Sequence, residues 1–309
     1  MTLMTHPTPE RAAASLAGKR VTRSTFGVPL LLQATAMLGI GALLYPTAAE
    51  WVATLEHNSE VSGYVERAAA LPDSAKLSAL AAAEAYNARM PLGPLRDPFA
   101  TAASADALAA DDATYDALLG VDGSDVIGEL DYPELGISLP IRHGTSDEAI
   151  SQGVGHLYGS SLPIGGPSTH SVLTSHSGLV NASLFTPLSG ARTGDVFSVA
   201  VLGETRWYRV DHISTVAPDE TDALQIVDGE DHITLVTCTP IGINSHRLLV
   251  RGTRIDEPEG DAGTTAIAGD GRDAGFPWWA LVFLGGSAAS AWILFGPARR
   301  RRDGEEASA

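Results

Sequence analysis

The sequence predicts a mainly β protein, in which one β-barrel or β-sandwich is carried on an N-terminal helical stalk and flanked by two membrane-spanning helices. Three observations lead to this fold class. Two long uncharged apolar stretches lie near the ends of the 309-residue chain. An alanine-rich segment with helical character follows the first stretch. Residues 124–254 then alternate short β-branched runs with Gly, Pro, Asp and Ser, which is typical of all-β domains.

The two apolar stretches are long enough to cross a membrane. Residues 24–49 and 276–297 contain no charged side chain, and each stretch exceeds the roughly 20 residues that a spanning helix needs. We therefore expect transmembrane helices over residues 28–49 and 276–297. A cleaved signal peptide is the alternative for the first stretch, because small residues follow it. A buried core helix is the alternative for the second.

Basic residues outside the two spans predict the orientation. Four precede the first span: Arg11, Lys19, Arg20 and Arg23. Four consecutive arginines, residues 299–302, follow the second span. By the positive-inside rule, the terminal segments 1–27 and 298–309 are cytoplasmic and the chain between the spans is extracellular. We thus expect a two-pass protein of the cytoplasmic membrane.

Between the spans, composition divides the chain into four segments. They are a helical stalk over 50–90, a loop and connector over 91–123, the β domain over 124–254 and a linker over 255–275. Prolines 91, 94 and 98 exclude a helix in the loop. The predicted strands are Val126–Leu130, Ile137–Ile141, Ser171–Thr174, Val196–Leu202, Thr205–Val216, Ile233–Cys238 and His246–Gly252.

Charge and cysteine content exclude several classes of protein. The formal net charge of −17 argues against nucleic-acid binding, which needs basic patches. Cys238 is the single cysteine, so an intramolecular disulfide is impossible and the residue is either an inert core side chain or a reactive thiol. The His, Asp and Glu residues show no metal-ligand spacing, and neither a metal nor a cofactor is predicted.

The surroundings of Cys238 favour a reactive thiol. The β-branched run from Ile233 ends at Cys238, and Arg247 follows nine residues later on an alternating strand. If these strands pair, Arg247 lies beside Cys238. His176 ends another strand, and a cysteine nucleophile needs such a base or cation to become a thiolate. A permanently charged arginine can stabilise an oxyanion.

The sequence segments around these residues resemble those of a known family. Residues 234–238 read TLVTC, and residues 234–252, TLVTCTPIGINSHRLLVRG, are similar to the class C, pilin-polymerising sortases. The resemblance spans most of residues 125–254. It implies an eight-stranded barrel with Cys238 as nucleophile, His176 as acid and base, and Arg247 as the group that orients substrate and stabilises the oxyanion.

A second feature of that family lies before the barrel. Asp97, Pro98 and Phe99 resemble the class C lid motif, a loop that covers the empty active site. The resemblance implies that Phe99 occupies the apolar substrate groove, while Asp97 makes a polar contact near the cysteine or the arginine. Pro98 stiffens the loop between them. An ordinary proline-rich connector is the alternative.

The resemblance also implies the reaction. Cys238 would attack the Thr–Gly bond of an LPxTG-like sorting signal, and a lysine amine of a pilin subunit would resolve the thioester. One alternative is a housekeeping-type sortase that attaches surface proteins to a peptidoglycan precursor, and another is a catalytically silent membrane-bound binding module. A papain-like protease fits poorly, because the cysteine comes late in the chain and lacks that family's sequence context.

One segment departs from the family pattern, and two other histidines compete with His176. Family members commonly have Gly and Arg where Ser175 and Ser177 stand. Ser177 removes a positive charge near the site, which bears on the choice of the second substrate. His170 is expected to be a surface or loop residue, and His246 to point to the strand face opposite Arg247.

Overall fold

The computed structural model describes residues 27–89, 95, 97–99, 113–121, 124–258 and 274–296. Most of the predicted cytoplasmic segment 1–27, all of 298–309, and most of the loop 91–123 and the linker 255–275 lie outside the described residues. The chain forms two compact units. One contains the chain up to Ala42 together with the chain from Val282, and the other contains Leu43–Leu281.

Helices precede and follow the β domain. The α-helices of the described residues are α1 (Gly27–Ala70), α2 (Asp73–Asn87), α3 (Ala113–Asp116), α4 (Asp147–Ser151) and α5 (Trp278–Phe295), with short 3-10 turns at Pro133–Leu135, Thr186–Gly190 and Asp222–Leu224. Helix α1 passes the predicted boundary at residue 50 without a break and ends just before Pro72, which separates it from α2. The predicted span and the first half of the stalk are therefore one helix.

Helices α1 and α5 are long and apolar enough to cross a membrane, and they indicate membrane anchoring. The most apolar window of α5 is not buried in the protein, which argues against a core helix. In the smaller unit, the Gln33 side chain donates to the Ser287 carbonyl at 3.1 Å and accepts from the Ser290 hydroxyl at 2.9 Å. Hydrogen bonds of this kind satisfy polar groups between helices in lipid.

Eight strands close into a barrel. They are β1 (Val126–Tyr132), β2 (Ile137–His143), β3 (Val154–His156), β4 (Thr169–Thr174), β5 (Val196–Val201), β6 (Glu204–Val216), β7 (Asp231–Thr239) and β8 (His246–Ile255). The order around the barrel is β1-β2-β3-β4-β7-β8-β6-β5. The β2–β3 and β4–β7 pairs are parallel, and the other pairs are antiparallel. The eight-stranded barrel implied by the family resemblance is confirmed.

The sequence pattern predicts seven of these strands and misses β3. Val154–His156 is only three residues long and contains Gly155, so no alternation of apolar and polar residues marks it. The glycine is needed for close packing, because a Cβ atom there would overlap the Gly144 carbonyl and lie 2.9 Å from the Ile150 side chain.

Strand alternation separates two apolar clusters, one inside the barrel and one outside. Leu173, Leu235 and Val250 point inward and join the main core. Their neighbours point outward and form what we call the outer apolar cluster: Leu157, Val172, Leu224, Val236 and Leu249. Cys238 lies two residues after Val236 and therefore shares this outer face.

Two hydrogen-bonded residues fix the chain on either side of the predicted lid. Before it, the Asn87 amide donates to the Leu162 carbonyl at 3.2 Å and accepts from the Leu162 amide at 2.8 Å. After it, the Tyr115 hydroxyl bonds to Nδ1 of His156 at 2.8 Å. His156 lies on β3 and Leu162 in the connection between β3 and β4, so the chain on both sides of the lid is attached to the barrel domain.

Candidate active site

Cys238 lies near the end of β7, on the outer face of the barrel. Its partner in the antiparallel β7–β8 ladder is Arg247, as the predicted pairing of the two strands requires. The cysteine is 8% exposed and is free. Pro240, which follows a cis peptide bond, interrupts the strand two residues later. The thiol therefore lies on the penultimate residue of β7, just before the chain leaves the sheet.

Arg247 is held from two directions. Its Nη1 atom donates to the backbone carbonyls of Asn244 and His246, each at 3.1 Å. Its Nε and Nη2 atoms donate to the two carboxylate oxygens of Asp97, at 2.8 and 2.7 Å. The guanidinium is thus oriented by its own loop through one nitrogen and presents the other two as a fork, the geometry that suits a carboxylate or an oxyanion.

His176 lies two residues beyond the end of β4. Its backbone amide donates to the Ile150 carbonyl at 3.4 Å, and its carbonyl accepts from the Phe185 amide at 3.0 Å. These bonds fix the backbone on both sides of the half-buried imidazole. Strands β4 and β7 are parallel neighbours, so the ends of both strands, and with them His176 and Cys238, lie at the same end of the barrel.

The rings of the two competing histidines make other contacts. His170 is buried rather than on a surface loop, and its ring nitrogens bond to the Gln225 carbonyl at 2.9 Å and to the Thr234 hydroxyl at 2.7 Å. It lies opposite His232, six residues before Cys238, which corresponds to about 20 Å along a strand. His246 is exposed and bonds to the Ser245 hydroxyl at 2.8 Å.

The predicted lid residues cover the site. Phe99 lies with its ring centre 5.9 Å from that of His176 and 5.0 Å from the guanidinium carbon of Arg247, while Asp97 takes the arginine fork. Pro98, between them, is buried. One short segment therefore contacts both the predicted acid and base and the predicted oxyanion donor.

Leu95 also belongs to this contact, although the sequence does not single it out. Both Leu95 and Phe99 pack against the outer apolar cluster, and the Leu95 side chain lies 3.4 Å from where a Cβ on Gly159 would be. The only sequence signal is an apolar residue two positions before Asp97. Leu95 and Phe99 thus fill an apolar groove, and Asp97 accepts two hydrogen bonds from Arg247.

Burial sets the charge state of the closed site. Burial raises the pKa of the Cys238 thiol above its ordinary value; the Arg247 guanidinium opposes this shift and the Asp97 carboxylate adds to it. Burial lowers the pKa of His176, an effect opposed by Asp147. A neutral thiol and a neutral imidazole are therefore both favoured. Removing the lid would expose the thiol and withdraw the Asp97 charge, and both changes lower the thiol pKa.

We expect substitution of the lid residues to expose Cys238. Asp97→Ala should accelerate labelling of Cys238 by a bulky maleimide at least about tenfold, because a charge-assisted hydrogen bond contributes roughly 1.5–3 kcal/mol. Phe99→Ala should also accelerate it, because it removes the ring contacts with His176 and Arg247. Asp211→Ala is the matched control, since it breaks the Asp211–Arg251 pair on the same barrel face and should leave labelling unchanged. Unchanged labelling in both lid variants would mean that the loop does not protect the thiol.

The two serines beside His176 both take part in local hydrogen bonds. The Ser175 hydroxyl donates to the Gly153 carbonyl at 2.5 Å, and the Ser177 hydroxyl donates to the Cys238 carbonyl at 2.7 Å. Thr237, the second threonine of the TLVTC run, donates from Oγ1 to the Ser175 carbonyl at 2.8 Å. Among the described residues, no group of three His, Cys, Asp or Glu side chains is placed to hold a metal ion.

Comparison with known proteins agrees with this geometry. Residues 130–255 match the family described as the sortase domain. The crystal structure of sortase C-1 from Actinomyces oris is 45% identical, with a TM-score of 0.55 over 59% of this chain and 99% of that chain. The pilus-related sortase C of Group B Streptococcus is 41% identical, with a TM-score of 0.56 over 62% of this chain and 94% of that chain.

A curated relative is also similar. Sortase A of Streptococcus agalactiae serotype III (strain NEM316) is 31% identical over 117 residues, which are 37% of this chain and 47% of the relative. The chain thus spans about half the length of that curated relative. The two sortase C structures are instead matched over 99% and 94% of their own chains.

Proposed function

This chain belongs to the sortase family of cysteine transpeptidases, and from this membership we propose that Cys238, His176 and Arg247 cleave an LPxTG-like sorting signal and transfer it to a lysine amine. The acceptor lysine belongs to a pilin subunit, so that the product is an isopeptide-linked polymer. The observation that carries the proposal is the single lid segment that contacts both His176 and Arg247, the strand partner of Cys238.

The first half of the reaction forms a thioester. The Cys238 thiolate attacks the carbonyl carbon of the Thr–Gly bond, and the carbonyl oxygen becomes an oxyanion. Arg247 donates to that oxyanion through the fork that Asp97 occupies in the closed state, while Nη1 stays on its two backbone carbonyls. His176, protonated in this step, gives its proton to the Gly amine as the C–N bond breaks.

The second half transfers the acyl group. The lysine amine attacks the thioester carbon and gives a proton to His176, and the Cys238 thiolate leaves. An amide replaces the thioester, and no oxidant or cofactor enters the balance. The same thioester would accept an amine of a peptidoglycan precursor, because the acceptor is not specified by the three site residues.

The proposed location is the outer face of the cytoplasmic membrane, with both termini cytoplasmic. Helices α1 and α5 support the two anchors, and the basic residues before α1 and after α5 support the orientation. In this arrangement the barrel between the two spans faces the sorting signals of exported proteins.

Mass spectrometry of the full-length chain in nanodiscs tests the function. With an LPxTG peptide, we expect an adduct on Cys238 equal to the peptide truncated after Thr, with release of the Gly-terminated fragment. Addition of a lysine-bearing pilin domain should convert the adduct into an isopeptide product. A product formed only with a peptidoglycan-precursor amine would show that the acceptor is that precursor and not a pilin lysine. The absence of any adduct, even with Asp97→Ala, would contradict the proposed chemistry.

A further inference from the structure

Beyond the end of β4, hydrogen bonds continue to join the chain to β7, first from a backbone amide and then from a side-chain hydroxyl. The two strands pair in parallel as far as Thr174, which lies opposite Val236. One step further, the Ser175 amide donates to the Val236 carbonyl at 3.3 Å. The next carbonyl on that side of β7 belongs to Cys238. Its donor is the Ser177 hydroxyl, at 2.7 Å.

A second hydroxyl links the same two segments in the opposite direction, from β7 to the chain that follows β4. Thr237 donates from its side chain on β7 to the Ser175 carbonyl at 2.8 Å. His176 therefore lies between two residues that are each bonded to the end of β7. Ser175 is in turn fixed to the Gly153 carbonyl through its own hydroxyl.

We propose that Ser177 is a positioning residue, which fixes the backbone of Cys238 relative to His176 through the hydroxyl bond to the Cys238 carbonyl. The inference rests on the proposed function of Cys238 and His176 and deepens it. Thr237 and Ser175 hold the segment before the imidazole, whereas Ser177 holds the segment after it and contacts the nucleophilic residue itself.

The size of the side chain matters. Serine has a hydroxyl one bond from Cβ, which reaches the Cys238 carbonyl at 2.7 Å.

The bond also acts on the thiolate. The carbonyl oxygen of Cys238 carries partial negative charge close to the sulfur of the same residue. A hydroxyl dipole directed at this oxygen reduces the negative potential that the thiolate experiences. Loss of the hydroxyl should therefore raise the thiol pKa as well as loosen the geometry.

Kinetics of Ser177→Ala and Ser177→Thr in the full-length chain test the inference. We expect Ser177→Ala to lower kcat for LPxTG-peptide cleavage about five- to tenfold with little change in KM, the effect of one hydrogen bond. The pH profile of Cys238 alkylation by iodoacetamide should move to higher pH. Threonine should restore both, because it keeps the hydroxyl. Ser189→Ala removes an exposed hydroxyl that bonds to Thr186 and should change neither.

Two results would overturn the inference. One is a Ser177→Ala variant within twofold of the natural chain in kcat and with the same alkylation profile. The other is a loss of activity that accompanies a lowered Tm, is not restored by threonine and leaves the profile unmoved, which would assign Ser177 to general stability. If neither the natural chain nor Asp97→Ala cleaves the peptide, the proposed function fails, while the alkylation profile still decides whether Ser177 acts on the thiol.

Discussion

Replacing Cys238 by alanine is expected to remove the acyl-enzyme adduct and to lower the rate of sorting-signal cleavage at least about a thousandfold, the loss found when a nucleophile is deleted. No second thiol can replace it, since the chain has one cysteine. Cys238 is 8% exposed near the end of β7, so the Tm of the variant is measured beside its activity to separate lost chemistry from lost packing. The measurement is cleavage of a fluorogenic LPxTG peptide, with mass spectrometry of the intact chain.

The Cys238→Ser variant is the companion measurement. It keeps the shape of the side chain but provides a hydroxyl that is hardly ionised at neutral pH. We expect the same loss of turnover with an unchanged Tm. Cleavage by Cys238→Ala at the rate of the natural chain would show that the thioester mechanism is wrong.

Arg247→Ala is expected to lower kcat for cleavage at least about a hundredfold, as removal of one oxyanion donor does in other acyl-transfer enzymes. Arg247→Lys should restore little of it, because a lysine amine cannot reproduce the two-nitrogen fork that Asp97 occupies in the closed state. The measurement is kcat against substrate concentration, so that binding and turnover are separated.

Arg251 provides the matched control. It lies on the same face of β8 as Arg247 and also forms a paired contact with a carboxylate, that of Asp211. Arg251→Ala should retain cleavage within about twofold. Arg247→Ala also releases Asp97, so maleimide labelling of Cys238 should rise as cleavage falls. Because unfolding would also expose the buried thiol, faster labelling together with a lowered Tm would point to unfolding instead of a lost oxyanion donor.

The barrel was largely predictable because its signals are local. The β-branched run before Cys238 and the alternation after His246 mark two strands whose pairing follows from the short turn between them. Strand β3 escaped because three residues are too few to show a pattern. Its existence depends on long-range packing against β2 and β4, which no local window contains.

The residues of the candidate site could be predicted from the sequence. How its thiol is protonated could not. The sequence predicts that Cys238, His176 and Arg247 come together, and their catalytic roles remain predictions. That Leu95 joins Phe99 on the outer apolar cluster depends on contacts between segments distant in sequence. The thiol was expected to be activated by its neighbours, whereas in the closed site burial and Asp97 favour its neutral form.

The hydrogen bonds of Asn87 and Tyr115 attach the lid segment to the molecule whose groove it fills, so the lid competes with substrate from within the same chain. Residues 88–114 between them are joined to the barrel at both ends, so the closing segment stays near the groove even when it has left it. A competitor that belongs to the same chain acts at an effective concentration set by its attachment, which dilution does not change. A sorting signal free in solution would compete poorly with such a segment, whereas one confined to the same membrane surface would be present at a comparable local concentration. Substrate confinement would then be part of what admits a peptide to Cys238.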